Sequence, residues 1–237
     1  MFQKGYYDAA IDKSIKKIIK GKNIQENAIY MDKAYSLANQ QDLERIEFLM
    51  KEGNERSWEE VYSIYSRLKY RQDRVKRVVP IRLNNKTIDY KFTDYETKMA
   101  EAKRNAADYF YNHGKSLMQN NDKQSFRQAY YELQKAKNFR GSAYPDIENL
   151  ITESHEMGMS RILISAFNIS EIDLPRSFMD NLQSFNVNRL DDEWREFHLG
   201  QIERGINFDY YIDIRIKHIE VSRGLLTEKE ETIKKKG

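Results

Sequence analysis

Helix-breaking residues are rare in this chain, and their scarcity constrains the fold more than any other feature of the sequence. Only three prolines occur among 237 residues, at Pro80, Pro145 and Pro175. Because proline ends or kinks a helix but is tolerated at the joints between elements, long uninterrupted helices are expected between these positions. The sequence therefore predicts a mainly helical protein.

Hydrophobic periodicity places the helices of the first two thirds of the chain. Apolar residues recur at steps of three or four, the period of one helix face, and Gly53 is a natural stop. Ser57 is the expected cap of the next helix, since Glu60 follows three residues later as in a capping box. The predicted helices are 24–39, 42–51, 57–79, 94–119, 123–138 and 145–157.

The pattern changes to a period of two near residue 81. Apolar and polar residues alternate from 81 to 92 around Asn84 and Asn85, which predicts a short β-hairpin inserted between helices. Helical spacing then resumes. We therefore expect residues 1–158 to form one helical domain that contains this insertion.

The last third of the chain reads as a small α/β domain, residues 159–237. An apolar, β-branched run and a later stretch of alternating residues predict two strands, at 161–169 and 209–221. Helices are expected between them at 175–185 and 191–198.

Residues at fixed spacing in the helical part carry a resemblance to a known repeat. Gly5, Tyr7 and Ala10 have the spacing that opens the second helix of a tetratricopeptide repeat, where glycine permits a tight entry and alanine a close helix contact. A second match comprises Tyr109, His113, Gly114, Leu117, Ala129, Leu133 and Ala136. Residues 1–158 thus resemble a tetratricopeptide array, although the stretch between Gly114 and Ala129 is about three residues longer than usual. An irregular helical bundle without repeat symmetry is the alternative.

A degenerate repeat array followed by an α/β tail is similar to tetratricopeptide-type lipoproteins of the bacterial cell envelope. The order strand, helix and a late strand opening with Asp209-Tyr210-Tyr211 resembles the penicillin-binding-protein activators and the curli-secretion lipoprotein. This resemblance implies a protein-binding role in the periplasm or at the outer membrane, with the signal peptide and lipidation cysteine removed. A cytoplasmic location is the alternative.

The sequence lacks the residue spacings that common catalytic and metal-binding motifs require. The chain has no cysteine, which excludes disulfides, thiolate metal sites and a cysteine nucleophile. No two of the four histidines stand at the i, i+4 spacing of a helical zinc site, and no nucleophilic serine elbow occurs. We therefore predict no catalytic residue, metal, cofactor or small-molecule substrate, and no enzyme. No apolar run approaches the roughly 20 residues that span a bilayer, so membrane attachment would need a lipid anchor.

One charge cluster is a candidate binding surface. Between residues 67 and 86, eight basic side chains accompany the single acid Asp73, and tyrosines that could stack on a peptide or on bases lie nearby. The candidate partner-binding residues are Tyr62, Tyr65, Arg67, Tyr70, Arg71 and Arg74. The alternative is a solvated helix face whose arginine stems cover apolar neighbours.

Two classes of function follow. The first is a scaffold that binds a protein or peptide on the helical array, with strand addition at an edge of the C-terminal sheet unless 227–236 folds back there as a third strand. The second is a helical nucleic-acid-binding protein that uses the basic helix 67–77. A net charge of +3, from 40 basic and 37 acidic residues, argues against the second.

Overall fold

A computed structural model gives the architecture of the chain and describes residues 6–83, 86–182, 184, 186–200 and 205–220. The protein is mainly helical, since 63 % of the described residues lie in helices, and the same residues form two small sheets. The predicted helical character is therefore confirmed. The chain divides into two compact units, Met1–Gly158 and Met159–Gly237, which we call the helical unit and the sheet unit.

Seven α-helices and five strands lie in the described residues. The helices are α1 (Tyr7–Ile19), α2 (Ile24–Glu52), α3 (Trp58–Val75), α4 (Tyr95–Met118), α5 (Lys123–Arg140), α6 (Ile147–Gly158) and α7 (Arg176–Leu182). The strands are β1 (Ile81–Leu83), β2 (Lys86–Ile88), β3 (Ser160–Asn168), β4 (Arg195–Leu199) and β5 (Tyr210–Ile216).

Helix α2 is continuous over 29 residues, so the predicted division into helices 24–39 and 42–51 is wrong. The intervening stretch contains neither glycine nor proline, and its polar residues Asn39 and Asp42 accept hydrogen bonds from Arg71 of α3. Polar residues in mid-helix therefore mark a packing contact here rather than a break. The helix ends at Gly53, where a φ of +66° favours glycine, as predicted.

The capping box predicted at Ser57 does not form. Ser57 makes no side-chain capping bond, and the side chain of Asn54 instead accepts from the backbone N–H of Arg56 to start a single 3₁₀ turn before α3. Helix α3 then ends at Val75, four residues before the predicted boundary, in a turn that precedes Pro80. The cap thus lies three residues earlier than the sequence pattern suggested.

Two short strands follow α3. Strands β1 and β2 pair antiparallel with Ile81 opposite Ile88, and both isoleucines are buried in the helical unit. The turn residues of the predicted hairpin, Asn84 and Asn85, lie outside the described residues, as do Gly5 of the first repeat match and the predicted third strand at 227–236.

Three clusters of buried apolar side chains follow one another along the described part of the helical unit. The first joins α1, the first half of α2, the end of α3 and both short strands; the second joins α2, α3 and α4; the third joins α4, α5 and α6. Each helix therefore packs mainly on its neighbours in sequence. Representative members, in that order, are Ile11, Met31 and Ile88; Ile46, Ile64 and Ala102; and Phe110, Ala136 and Ile147.

The sheet unit contains a three-stranded parallel sheet with the strand order β4-β3-β5. The predicted two-stranded sheet and the predicted helix 191–198 are both wrong, because β4 occupies the second half of that stretch. Asp191 and Asp192, interpreted as the first turn of a helix, instead accept backbone hydrogen bonds from Phe197 and Trp194 and shape the loop that leads into the strand. The central strand β3 is buried at Ile162, Leu163, Ile164 and Ala166.

Candidate partner-binding surface

Arg71, a predicted binding residue, is the centre of a buried contact among three helices. Its side chain is 2 % exposed. The guanidinium donates to both carboxylate oxygens of Asp8 at 2.7 and 3.1 Å, to Asp42 at 2.9 Å and to the amide oxygen of Asn39 at 2.7 Å. With its donors occupied by residues of α1 and α2, Arg71 is unavailable to a partner.

Arg67 and Arg74 flank Arg71 on α3 and also face carboxylates. Arg67 pairs with Asp42, donating through Nε at 3.1 Å, and Arg74 pairs with Asp12. We call these three arginines, with Asp8, Asp12, Asn39 and Asp42, the ionic cluster. Its arginines were predicted to form an anionic-partner patch, and the structure instead places each against an acid of another helix. Removing one member of a buried pair is destabilising, because it leaves the other charge uncompensated.

The ionic cluster shifts the pKa values of Arg71 and Asp8. Burial disfavours the charged guanidinium of Arg71, but the hydrogen bonds it donates to Asp8 and Asp42 outweigh that effect and raise its pKa. Burial also works to raise the pKa of Asp8, and the bond from Arg71 overcomes it, so the pKa of Asp8 lies below its usual value. Both groups are therefore held in their charged forms.

Of the three predicted tyrosines, only Tyr70 is well exposed. Tyr62 and Tyr65 pack against the second apolar cluster, with Tyr62 edge-on to Phe139 at 5.6 Å between ring centroids. Tyr70 is 65 % exposed, and the guanidinium of Arg74 lies 5.1 Å from its ring centroid. The structure therefore does not bring the six candidates together as one open surface.

A line of exposed apolar residues on α2 was missed by the sequence reasoning. Tyr30, Leu37 and Phe48 are 49 %, 37 % and 51 % exposed. Spacings of seven and eleven residues are close to whole numbers of turns at about 3.6 residues per turn, so the three side chains project from the same side of the helix. We call them the α2 stripe. The guanidinium of Arg45 lies 5.3 Å from the Phe48 ring centroid while bonding Glu60 at 2.8 Å.

Lysines surround the Tyr30 end of the α2 stripe. Tyr30 lines a groove of about 210 Å³ between α1 and α2, together with Ala10, Lys13 and Lys17 and one acid, Glu26. Lys16 and Lys20 lie on the same solvent side of α1, beyond the groove. The signal for this basic side was present in the sequence as lysines spaced by three and four residues. An apolar line that ends in a positively charged groove suits an acidic, amphipathic ligand.

No constellation of acids and histidines resembling a metal site occurs among residues 6–83, 86–182, 184, 186–200 and 205–220. In the same described stretches, none of the helices has the length and apolar character needed to cross a bilayer. Comparison with known proteins finds no matching family model, no similar curated protein and no similar solved structure.

Proposed function

We propose that the protein is a non-enzymatic interaction scaffold whose helical unit binds an acidic, amphipathic segment of a partner protein along the α2 stripe. The stripe carries this proposal: three large apolar side chains stand exposed in line on one helix and end among lysines. Aromatic and large apolar residues that are exposed together are typical of binding surfaces, and lysines at their margin favour acidic partners.

We further propose that the helical unit is a degenerate tetratricopeptide-like array with an inserted β-hairpin. Three apolar clusters in chain order support this, because each unit of a repeat array contacts only its neighbours. A second support is the contact between α4 and α5, where a Cβ added to Gly114 would lie 2.8 Å from Cγ of Leu133. Glycine opposite a large apolar residue, with the buried Ala129 beside it, matches the tetratricopeptide pattern. In such an array α2 and α4 are first helices, which line the binding surface.

An envelope lipoprotein remains the proposed setting. It follows from the resemblance of the helical array and α/β tail to lipoproteins of the bacterial envelope. Sequencing the gene upstream of Met1 and fractionating cells that express the full gene test it. A lipidation cysteine and recovery with the outer membrane are the expected result, and recovery in the cytosol without such a cysteine would reject this location.

Photo-cross-linking tests the scaffold function. A photoreactive residue placed at Leu37 should form adducts with one protein in cells of the source organism, whereas the same residue at Leu43 should not. Leu43 is a matched control because it is also a leucine of α2, is 46 % exposed and projects from a different side of the helix. Equal adducts from both positions, or adducts only to nucleic acid, would reject the proposal.

A binding measurement then tests the assigned chemistry. An acidic segment of the captured protein should bind the purified chain, and Leu37→Ala should weaken binding about tenfold or more while Leu43→Ala leaves it unchanged. Reversing the charge of Lys13 and Lys17 should weaken binding further, and added salt should reduce the effect of that reversal. Affinity that is independent of Leu37 would contradict the assignment of the stripe.

The nucleic-acid hypothesis gains no support from the position of its residues. Arg67, Arg71 and Arg74 each pair with a carboxylate of another helix. Binding driven by phosphate contacts would have to break these pairs, and it would fall steeply with salt.

A further inference from the structure

Strand β5 is the exposed edge of the parallel sheet. Among the described residues it pairs only with β3, and six of its seven residues are exposed. The exposure affects both faces, since Ile212 and Ile214 on one face are 45 % and 42 % exposed and Tyr211 on the other is 59 % exposed. The opposite edge differs, because most side chains of β4 are half-buried. An edge strand with large uncovered side chains is a template for another strand.

The hydrogen bonds of the sheet show which backbone groups of β5 are available. The N–H of Ile169 donates to the carbonyl of Ile216, so the backbone groups of Ile216 point toward β3. Backbone groups alternate in direction along a strand. The N–H and C=O groups of Tyr211, Asp213 and Arg215 therefore point away from the sheet, and no strand of the described residues pairs with them.

The sequence of β5 is complementary to itself in one antiparallel register. When Ile214 lies opposite Ile214 of a second copy, Asp213 lies opposite Arg215 of that copy, and the reverse pair forms by symmetry. Ile212 then lies opposite Ile216 of the second copy, on the same face of the sheet as Ile214. This register also brings outward-pointing backbone groups opposite one another, as an antiparallel ladder requires. A shift that centres the pairing on Asp213 would instead oppose two carboxylates, which is unfavourable.

We propose that β5 pairs antiparallel with β5 of a second copy of this chain, on a two-fold axis at Ile214, to form a continuous six-stranded sheet. Asp213 and Arg215 contact each other within one strand at 3.0 Å, with side chains 41 % and 58 % exposed. Pairing with the second copy gives both charges additional partners and places the exposed isoleucines beside isoleucines of that copy. The inference does not depend on the proposed function of the helical unit.

Single cysteines test the register. The chain has no native cysteine, so an introduced one is unique. In the proposed register Ile214→Cys brings two thiols into a non-hydrogen-bonded pair with Cα atoms about 4.5 Å apart, within the range of a disulfide. The matched variant Ile212→Cys places its thiols roughly 14 Å apart. With diamide as the oxidant that accepts two electrons and two protons, the full chain with Cys at 214 should form a covalent dimer at least tenfold faster than the 212 variant.

Charge reversal tests the complementarity independently. The parent chain should sediment with twice the mass of 28.3 kDa at sufficient concentration. Asp213→Arg and Arg215→Asp should each raise the dissociation constant at least tenfold, because each opposes like charges. The double variant Asp213→Arg with Arg215→Asp should restore dimerisation, since it exchanges the two charges and keeps every pair. Near-ultraviolet circular dichroism of each variant separates loss of pairing from loss of folding.

Three results would overturn the proposal. One is a parent chain that stays monomeric at all accessible concentrations, and protection of the Ile214→Cys thiol from alkylation would then show that another segment covers the edge. Another is equal cross-linking of the 212 and 214 variants, which would show random collision. The third is a folded double variant that dimerises no better than the single reversals.

Discussion

The two units of this protein differ in how their hydrogen-bonding groups find partners. In the helical unit, the most buried cation, Arg71, has carboxylate and amide partners on two other helices. In the sheet unit, Tyr211, Asp213 and Arg215 of β5 point backbone groups away from the sheet among exposed side chains. The backbone groups of a helix bond within the helix, so contacts between helices are made by side chains. A short sheet leaves backbone groups at its edge for another chain to satisfy.

The two units should therefore respond differently to substitution. In the helical unit, the largest effects should come from buried side chains and should appear as lost stability. At β5 they should appear as lost association, with little change in the fold.

Removing the central cation of the ionic cluster should cost the most. Arg71→Met removes the bonds that Arg71 donates to Asp8, Asn39 and Asp42, and breaking a buried ion pair by removing one partner costs about 3–5 kcal/mol of unfolding free energy. Urea denaturation followed by far-ultraviolet circular dichroism measures the loss. The control is Arg67→Ala, whose side chain is 45 % exposed and whose loss should cost about 1 kcal/mol or less. Equal losses would show that the burial of Arg71 does not increase its effect on the free energy of unfolding.

The contact between α4 and α5 should give the next largest effect. Leu133 is fully buried, and Leu133→Ala should cost about 2–5 kcal/mol through lost contacts and the cavity left behind. The exposed Gln128 of the same helix is the control, and Gln128→Ala should change stability by less than about 0.5 kcal/mol.

The same contact predicts a coupling between two substitutions. Gly114→Ala alone should destabilise by about 1–3 kcal/mol, because the new methyl would meet the Leu133 side chain. Combined with Leu133→Ala, the methyl occupies vacated space and its cost should vanish. Additive losses in the double-mutant cycle would show that α4 and α5 do not meet at this point.

The smallest effect concerns Tyr90, which packs against the first apolar cluster and makes the stability of the protein depend on pH above 10.0. Burial raises the pKa of Tyr90 well above the usual 10.0, and the hydrogen bond that its hydroxyl donates to Asp32 at 2.8 Å adds to the shift. The folded protein therefore holds this proton more tightly than the unfolded chain. Its contribution to stability is complete below pH 10.0 and is lost as the pH rises above that value.

Tyr90→Phe should therefore lower stability by about 1 kcal/mol at neutral pH, through the lost hydrogen bond. Above pH 10.0 the variant should lose stability less steeply than the parent, by up to about 1.4 kcal/mol per pH unit. Urea midpoints measured from pH 9 to pH 11.5 check both statements. Identical slopes would show that Tyr90 does not remain protonated in the folded state.

Local patterns predicted much of the fold. Helices α4 and α5 and strand β3 begin or end within about two residues of their expected bounds, because long periodic segments without breakers leave few alternatives. The failure at 191–198 arose where acidic residues fit both a helix start and a loop, and pairing with β3 decided between them. Tertiary context overrode local propensity at that point.

The candidate site was harder to predict than the fold. The arginines of α3 form a basic stripe when that helix is considered alone. Their partners Asp42 and Asp8 lie 29 and 63 residues from Arg71 in the chain, so no local pattern reveals the pairing. The α2 stripe was overlooked for a related reason. Its residues flank the buried face of the helix, and only the packing of α1 and α3 determines which of them stay exposed.

The unbroken length of α2 has a consequence for how the helical unit opens. At about 1.5 Å per residue, its 29 residues form a rod of roughly 44 Å that belongs to both the first and the second apolar clusters. Because both clusters include side chains of α2, neither can unfold while this helix stays intact. The two clusters should therefore unfold together as one cooperative unit. Amide protons of residues 31–49 should then exchange with solvent at one shared, slow rate. A partner bound anywhere along the rod would slow the opening of both clusters at once.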